Sequence, residues 1–518
     1  MPSKVSRTIQ GVAANWMAFA VSAAVAFFLS PFVVHHLGNA TYGVWILVTS
    51  TTAYLGLLDL GLRGAVIRFI SSHHARAEYE ECCHALSVAF WFRVASSVLI
   101  LAVSLLLAFE IGAWFRIDPN MLSAARIAVG LTGLTFAVTL TGGIFGAALA
   151  ALQRFDLISA VGIGQVLLNA GGTVWLLRHG YSIVALAILQ FTLALVANII
   201  MRALSLRVFP SLRIRLGKPD PAMLRKMTSY SIYMFILSVT GQVIYYTDNV
   251  VVGAFRSAEA VALYAIGGRL LEYLRQPTAA LAQTFMPLAS SLEALSEKES
   301  LRQLLILGTR ITLLVFWPLG LMLLIRGPRF IGLWMGPEYA ETSGTVLRIL
   351  LIGTMFQSAN HGSSNIIFGM GKHRRLAFWQ IGEAVANLGL SIFLIRRIGI
   401  YGVAWGTTIP ELIMDIVLFP PYITSLMEIT LWRFFKEAWL RPFVAMLPFA
   451  AACIYAERYW IPRTTLAFFL QAAALYPVFL ITAAVCFWPE TRRLARMIGN
   501  KALASRQRGA LAPAVVGE

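Results

Sequence analysis

Charged side chains are scarce in this sequence of 518 residues, since Asp, Glu, Lys and Arg together make up only 13% of it. Soluble globular proteins contain about 25% charged residues, so this chain has too few charges to cover an aqueous surface. The same scarcity, together with an aromatic content of 12%, excludes intrinsic disorder. Because 58% of the residues are hydrophobic, the composition predicts an all-α polytopic membrane protein.

Cysteine and catalytic motifs are equally sparse. The chain has four cysteines, and the adjacent pair Cys82 and Cys83 forms neither a disulfide framework nor a CxxC metal pair. Gly371-Lys372 is not part of a phosphate-binding loop, because Ile366 stands where that loop requires glycine. The HExxH and GxSxG signatures do not occur. We therefore expect no catalytic residue, no metal and no cofactor.

Basic residues outnumber acidic ones by 42 to 24, but they do not cluster on one tail or face as in a nucleic-acid-binding protein. They recur in alternate polar gaps between apolar runs, which is the distribution that marks cytoplasmic loops. The pattern predicts a multi-pass membrane protein with both termini in the cytoplasm. Its predicted environment is the lipid bilayer, and no nucleic acid is expected as a partner. At about 20 residues per span, about fourteen helices are predicted, at 11–33, 42–66, 86–109, 122–150, 157–177, 182–206, 229–254, 260–288, 304–325, 344–369, 376–395, 401–424, 442–459 and 464–488.

An internal repeat organises these helices. Residues 153–179 and 371–397 resemble each other at an offset of about 218 positions, with Asn169 aligned on Asn387. The repeat predicts two six-helix halves related by an axis along the membrane normal, an arrangement that encloses a substrate cavity in transporters. The predicted domains are an N-terminal lobe 1–208, a basic cytoplasmic linker 209–228, a C-terminal lobe 229–425, two extra transmembrane helices 426–490 and a basic cytoplasmic tail 491–518.

Four short motifs carry a family resemblance. They are HLGNATYG at 36–43, GLLDLGLR at 56–63, TDNV at 247–250 and Gly371-Lys372. In this arrangement the chain resembles bacterial polysaccharide-export proteins, the O-antigen (Wzx-type) flippases of the multidrug/oligosaccharidyl-lipid/polysaccharide exporter superfamily. The resemblance implies two six-helix lobes forming a V. It also implies movement of an undecaprenyl-pyrophosphate-linked oligosaccharide to the periplasmic leaflet by alternating access. The polymerase and glycosyltransferases of the same pathway would be its partners.

Two other functions remain open from the sequence. A membrane glycosyltransferase or polysaccharide polymerase would use the same lipid-linked sugars, but the first external gap, 35–41, has no carboxylate that could activate an acceptor or hold a metal. A cation-coupled multidrug antiporter of the same superfamily is expected to favour an acidic, aromatic pocket. Here the intramembrane charges are mixed, and arginine is prominent.

Ionisable residues inside predicted spans are costly and mark candidate sites. Arg269 lies near the midplane of the eighth span, and Tyr273 and Gln276 share its helix face at i+4 and i+7. Glu272 and Arg275 follow within the same two turns. These positions predict a binding site for the diphosphate of the substrate, because guanidinium matches phosphate geometry. The alternative is a structural pair between Arg269 and Glu272.

Further candidates lie in other spans. Asp59 and Arg63 share a helix face at i, i+4 in the second span and are predicted either to bind substrate or to extend toward the cytoplasmic surface. Asp248, late in the seventh span, is a candidate for ion coupling. Glu411 and Asp415 stack at i, i+4 in the twelfth span and could share a coupling proton, or each could pair with an arginine of a neighbouring helix.

The basic linker provides a direct test of the predicted topology. If residues 209–228 are cytoplasmic, a periplasm-dependent phosphatase fused at Lys218 will be inactive, whereas the same enzyme fused in the predicted external gap 109–121 will be active. Activity of the Lys218 fusion, measured in intact cells, would contradict the orientation. The prediction rests on a cluster of basic residues: Arg207, Arg213, Arg215, Lys218, Arg225 and Lys226.

Overall fold

The computed structural model describes residues 4–214 and 220–487, and within these ranges the chain forms helices and turns with no β-strand. The all-α prediction is thereby confirmed. A bilayer favours this outcome because a helix satisfies every backbone hydrogen bond within its own segment. The predicted tail 491–518 lies outside the described residues.

Seventeen α-helices are present in the described ranges. They are α1 Lys4–Ala53, α2 Leu62–Ala75, α3 Tyr79–Trp114, α4 Pro119–Ala151, α5 Phe155–Arg178, α6 Ile183–Val208, α7 Pro221–Phe255, α8 Ala258–Ala282, α9 Phe285–Ala294, α10 Lys298–Trp334, α11 Thr342–Gly369, α12 Arg374–Ile398, α13 Ile400–Leu412, α14 Phe419–Leu426, α15 Leu431–Phe434, α16 Arg441–Tyr459 and α17 Thr465–Cys486. Short 3₁₀ segments occupy Tyr54–Asp59 and Pro337–Tyr339, and π-helical segments occupy Ile413–Leu418 and Phe435–Leu440.

Ten helical stretches of the described chain are long and apolar enough to cross a membrane. One of them, Trp16–His74, covers the first two predicted spans. Gly38 interrupts it with a φ of 72°, a conformation that glycine adopts without steric cost, and it lies inside the predicted external gap 35–41. Helices α8 and α11 are not among the ten stretches, so the count of fourteen spans stays a prediction.

The second predicted span is discontinuous. Helix α1 ends at Ala53, the 3₁₀ segment Tyr54–Asp59 follows, and α2 begins only at Leu62. Leu60 and Gly61 between them adopt left-handed conformations with φ of 48° and 71°. The backbone therefore breaks its helical hydrogen bonding in the middle of an apolar segment, which a membrane protein tolerates where the break is buried in protein or lines a polar cavity.

The chain divides into two compact units. The first comprises Met1–Tyr273, Trp334–Gly353 and His373–Met414, and the second comprises Leu274–Leu333, Thr354–Lys372 and Asp415–Glu518. The lobe and linker boundaries predicted from the repeat stay a prediction.

Small residues allow close helix packing in the first unit. A Cβ atom at Gly133 of α4 would lie 1.9 Å from Ser104 Oγ of α3, so only glycine fits there. The Ser104 hydroxyl donates a hydrogen bond to the Val129 carbonyl oxygen, also of α4, at 3.0 Å. Close approach of small residues is the usual means of helix association where lipid offers no hydrophobic driving force between helices.

A buried arginine anchors the two C-terminal helices of the second unit. The Arg326 side chain of α10 is completely buried. Its guanidinium donates to Gln471 Oε1 of α17 at 2.6 Å and to Glu457 Oε2 of α16 at 3.3 Å, and it lies 4.9 Å from the ring centroid of Phe468. Arg329 donates to the other carboxylate oxygen of Glu457 at 2.8 Å. One carboxylate thus holds two guanidiniums within the membrane-spanning part of the chain.

An exposed ion-pair group offers a contrast in the same unit. Lys298 lies 2.6 Å from Glu428 Oε1 and Arg302 lies 3.3 Å from Glu428 Oε2. The Lys298 hydrogen bond lowers the pKa of the Glu428 carboxyl below its usual value. Because these side chains are exposed, such pairs contribute little to stability, whereas removing one partner of a buried pair is costly.

We therefore expect Glu457→Leu to destabilise the second unit by about 3–5 kcal/mol, since it leaves a buried guanidinium without its carboxylate. The double change Arg326→Leu/Glu457→Leu should recover part of the loss, because the fully buried charge is then removed and only the half-buried Arg329 lacks its carboxylate. The measurement is the midpoint of thermal unfolding of the purified protein in detergent. Glu259→Leu, at an exposed position of α8, is the control. An unchanged midpoint for Glu457→Leu would contradict the anchoring role.

Candidate functional site

Arg269 lies near the middle of α8, between two buried apolar neighbours, Ile266 and Leu270. Arg269 is itself exposed as a residue, while tyrosine side chains and a carboxylate lie around its guanidinium. A tyrosine hydroxyl contacts it: buried Tyr42 of α1 accepts a hydrogen bond from Arg269. Tyr246 of α7 also lies near the guanidinium.

The face of α8 predicted from the sequence is only partly open. Tyr273 is half-buried, and its hydroxyl lies 3.2 Å from Ser30 Oγ of α1. Gln276 and Glu272 are exposed, and Glu272 is close enough to Arg269 to attract it electrostatically. The first unit therefore surrounds one guanidinium with hydroxyl groups and one carboxylate. This arrangement keeps the cation charged while leaving some of its five N–H donors for a ligand.

Arg275 belongs to the second unit, where its guanidinium donates a hydrogen bond to Gln357 Oε1 of α11. His361, one turn further along α11, is half-buried. Arg275 thus has a protein partner on a neighbouring helix, and its predicted contribution to substrate binding stays a prediction.

The prediction that Asp59 and Arg63 share a helix face is wrong. The helix is interrupted between them at Leu60 and Gly61, which adopt left-handed conformations. Residues 59 and 63 are therefore not one turn apart on a continuous helix. Asp59 instead accepts a hydrogen bond from Arg93 of α3, at 2.7 Å from Nη2 to Oδ1. The two predicted residues nevertheless line one cavity of about 450 Å³ in the first unit.

Asp248 of α7 is buried in the first unit and has only hydroxyl partners. Its Oδ2 atom accepts hydrogen bonds from Tyr264 at 2.6 Å and from Thr407 at 2.8 Å. Asn387 donates to Thr407 Oγ1 at 2.9 Å. Asp248 Oδ1 and Asn387 Oδ1 are buried without a hydrogen-bond partner, and no cationic side chain of the described residues forms an ion pair with Asp248. Two hydroxyl oxygens therefore contact a buried carboxylate that has no counter-ion among the described residues.

Glu411 and Asp415 belong to different units, with Glu411 at the end of α13 and Asp415 in the π-helical segment that follows. Glu411 packs against Gly353 so closely that a Cβ atom at Gly353 would lie 2.3 Å from Glu411 Oε2. Asp415 Oδ1 accepts a hydrogen bond from buried Asn360 at 3.0 Å. Their predicted role in proton coupling stays a prediction.

Several residues that contact these candidates were not predicted from the sequence. Arg93 could have been found, because an arginine inside the third predicted span is by itself a candidate. Asn387 was visible in the repeat, but nothing in the sequence connects it with Asp248. Tyr42 lies in the HLGNATYG motif without any signal that it contacts Arg269.

Comparison with known proteins assigns the chain to a family. A protein-family model described as "Polysaccharide biosynthesis protein" matches residues 36–344, which is more than half of the chain. The chain belongs to this family. The resemblance to polysaccharide-export proteins is confirmed, and the family is one of transporters and not of enzymes. The long apolar helices of the described residues make the chain a multi-pass membrane protein.

Two curated relatives extend the match over most of this family member. A protein of Shigella flexneri, provisionally named an O-antigen transporter, is 22% identical over 405 residues, which cover 78% of this chain and 94% of the relative. The uncharacterised membrane protein EpsK of Bacillus subtilis is 23% identical over 433 residues, covering 80% of this chain and 82% of the relative.

Solved structures show the fold. The lipid II flippase MurJ in an inward closed conformation has a TM-score of 0.71 at 14% identity, covering 93% of this chain and 100% of MurJ. A multidrug-resistance MATE transporter in an inward-facing conformation has a TM-score of 0.66 at 13% identity, covering 81% of this chain and 98% of that transporter. The family member therefore has the fold of the superfamily predicted from its sequence motifs.

Proposed function

We propose that this chain is a flippase that moves an undecaprenyl-pyrophosphate-linked oligosaccharide from the cytoplasmic to the periplasmic leaflet of the bacterial inner membrane. Membership of the polysaccharide biosynthesis family and the likeness to a protein named as an O-antigen transporter support this function. The observation that carries it is Arg269, an exposed residue near the middle of α8 whose guanidinium lies among tyrosine side chains. The oligosaccharide serves O-antigen, capsule or exopolysaccharide synthesis.

The proposed substrate carries negative charge on its diphosphate. Arg269 suits this group because a planar guanidinium forms two parallel hydrogen bonds to phosphate oxygens. The hydroxyls of Tyr42 and Tyr273 are polar without being charged, so they orient the guanidinium without neutralising it. Gln276 and Arg275 follow on the same helix and would contact the phosphates or the first sugar, and Asp59 and Arg63 are further candidates for sugar contacts.

Alternating access requires that the site opens to one side of the membrane at a time. In our proposal the two six-helix lobes rearrange around the diphosphate while the isoprenoid tail remains in lipid. Both termini and the linker 209–228 face the cytoplasm. The polymerase and glycosyltransferases of the same pathway supply and consume the substrate.

Coupling to an ion is assigned to Asp248. A buried carboxylate without a cationic partner is stable in a membrane only if it is protonated or binds a cation. Its free oxygen Oδ1 and the free Oδ1 of Asn387 are of the type that hard cations prefer. Glu411 and Asp415 are the second candidates, since both are buried in membrane-spanning segments.

The antiporter alternative has less support. The MATE fold is shared, but a guanidinium as the exposed charge repels cationic drugs and attracts an anionic headgroup. The position of Arg269 therefore favours the lipid-linked diphosphate over a cationic drug.

Replacement of Arg269 tests the binding role. We expect Arg269→Ala to abolish surface polysaccharide at normal protein levels, because both the charge and the planar donor group are lost. Arg269→Lys should be partly active, since it keeps only the charge. Arg126→Ala, an exposed arginine of α4, is the control and should export normally. Surface polysaccharide in cells carrying each variant is the readout.

Two outcomes would show that Arg269 has a structural role and does not bind the substrate. One is full export by Arg269→Ala. The other is recovery of export by Arg269→Ala/Glu272→Ala after loss in the single variant, because a double change rescues a residue that serves only as the partner of another.

Replacement of Asp248 tests the coupling role. In proteoliposomes, we expect a sodium or proton gradient to accelerate flipping by the unaltered chain. Asp248→Asn should lose this stimulation by roughly tenfold, a factor that corresponds to about 1.4 kcal/mol, while substrate binding is kept. Glu110→Gln, an exposed position of α3, is the control. Equal stimulation of Asp248→Asn and the unaltered chain would exclude Asp248 as the coupling group.

A further inference from the structure

The cavity of about 450 Å³ in the first unit is separate from the surroundings of Arg269, which is not among its lining residues. Its wall is formed by the 3₁₀ segment, the start of α2, and parts of α3, α4, α5 and α6. Most lining residues are apolar or glycine. Its polar lining consists of Asp59, Arg63, Arg93, Thr139, Gln165 and Asn198.

The charges of this cavity do not cancel. Two guanidiniums, Arg63 and Arg93, face one carboxylate, Asp59, which leaves a net charge of +1. Asp59 is committed to Arg93 at 2.7 Å. Arg63 is exposed, and it makes no hydrogen bond or ion pair within residues 4–214 and 220–487. The excess positive charge therefore resides on Arg63.

Arg93 has donor capacity left as well. Its side chain is only 2% exposed. Nη2 donates to Asp59 and Nη1 donates to the Leu140 carbonyl oxygen at 3.3 Å, but Nε is buried without a partner. An unsatisfied buried donor costs about 1–3 kcal/mol, and more for a charged group. A ligand with an acceptor oxygen would remove this cost.

The backbone adds a third positive element. Helix α2 begins at the cavity wall, directly after the left-handed residues Leu60 and Gly61. No side chain caps this N-terminus, and its first turn contains no acidic residue. The first N–H groups of a helix lack intrahelical partners and carry partial positive charge. Arg63 itself lies in this first turn, so side-chain charge and helix dipole have the same sign at one place.

We propose that this cavity is a binding site for an oxyanion, a carboxylate or phosphate group, held by Arg63 and Arg93 at the start of α2. The site is a second anion site of the chain; binding of free phosphate there is independent of the flippase activity proposed above, whereas binding of a glycan carboxylate rests on it. Its ligand has one of two sources with the same chemistry. One source is free phosphate, and the other is a carboxylate on a sugar of the transported glycan.

Direct binding tests the site. The probe is radiolabelled inorganic phosphate, measured at constant ionic strength on the full-length protein in lipid nanodiscs. The chain carries Arg269→Ala, so that phosphate held by Arg269 does not contribute. We expect saturable binding of one phosphate per chain, weakened by at least roughly tenfold in Arg63→Gln because the excess charge is gone. Arg68→Gln, on the same helix outside the cavity lining, is the matched control and should bind normally.

A second variant should act in the opposite direction. Asp59→Asn raises the net charge of the lining from +1 to +2 and frees Nη2 of Arg93, so phosphate should bind several-fold more tightly. A merely structural role of Asp59 predicts weaker binding instead, through loss of the folded cavity. Arg63→Lys keeps the charge and should retain part of the affinity, which separates loss of a ligand contact from misfolding.

Competition by glucuronate identifies the source. If glucuronate displaces labelled phosphate, the site accepts a sugar carboxylate, and if only phosphate binds, free phosphate is its ligand. Absence of saturable binding of either anion would overturn the proposal. So would phosphate binding that is unaffected by Arg63→Gln, or weakened by Asp59→Asn in protein of normal thermal stability. None of these results bears on whether Arg269 binds a lipid diphosphate.

Discussion

Hydrocarbon offers no hydrogen bonds, so every polar group inside the membrane must find its partner within the protein or in a wet cavity. The helical backbone satisfies this constraint for the main chain. Among the side chains, Arg326 satisfies most of this requirement with Glu457, Gln471 and the ring of Phe468, and only its Nη1 is buried without a partner. Arg93 satisfies most of the same requirement through its hydrogen bond to Asp59. These contacts link neighbouring helices, and the opposite charges of each ion pair neutralise each other.

The constraint also separates structural charges from functional ones. Arg269 and Arg63 are exposed although each lies in a largely apolar segment. Asp248 is buried, but only hydroxyl groups contact it. Since an ionised group in this setting is costly without a counter-charge, these three are the places where a ligand would lower the free energy most. Burial and pairing, more than residue type, therefore distinguish the anchor Arg326 from the candidate Arg269.

Much of the fold could be predicted because apolar length and loop charge are local signals. The break at Gly38 follows from the polar gap and the glycine within it. The break at Leu60 could not be predicted, because leucine rarely adopts a left-handed conformation and only the tertiary setting selects it. For the same reason the sequence suggested that Asp59 and Arg63 share a face, whereas Asp59 pairs with Arg93, 34 positions away. Contacts between helices that are distant in the chain, such as Asn387 with Thr407 and Thr407 with Asp248, produce no periodic pattern in the sequence.

The two exposed guanidiniums have different surroundings, which implies different ligands. Around Arg269 the neighbours are tyrosines and one carboxylate, Glu272, so the tyrosine hydroxyls add hydrogen-bond donors for phosphate oxygens beside the guanidinium. Around Arg63 the cavity of about 450 Å³ has room for on the order of ten waters at about 30 Å³ each. Hydration lets this arginine stay charged without a protein partner, and a ligand must replace that water. Asp59 already neutralises half of the cavity's positive charge, so a singly charged oxyanion balances the remainder. A diphosphate would instead leave an excess negative charge beside the low-dielectric wall of the cavity.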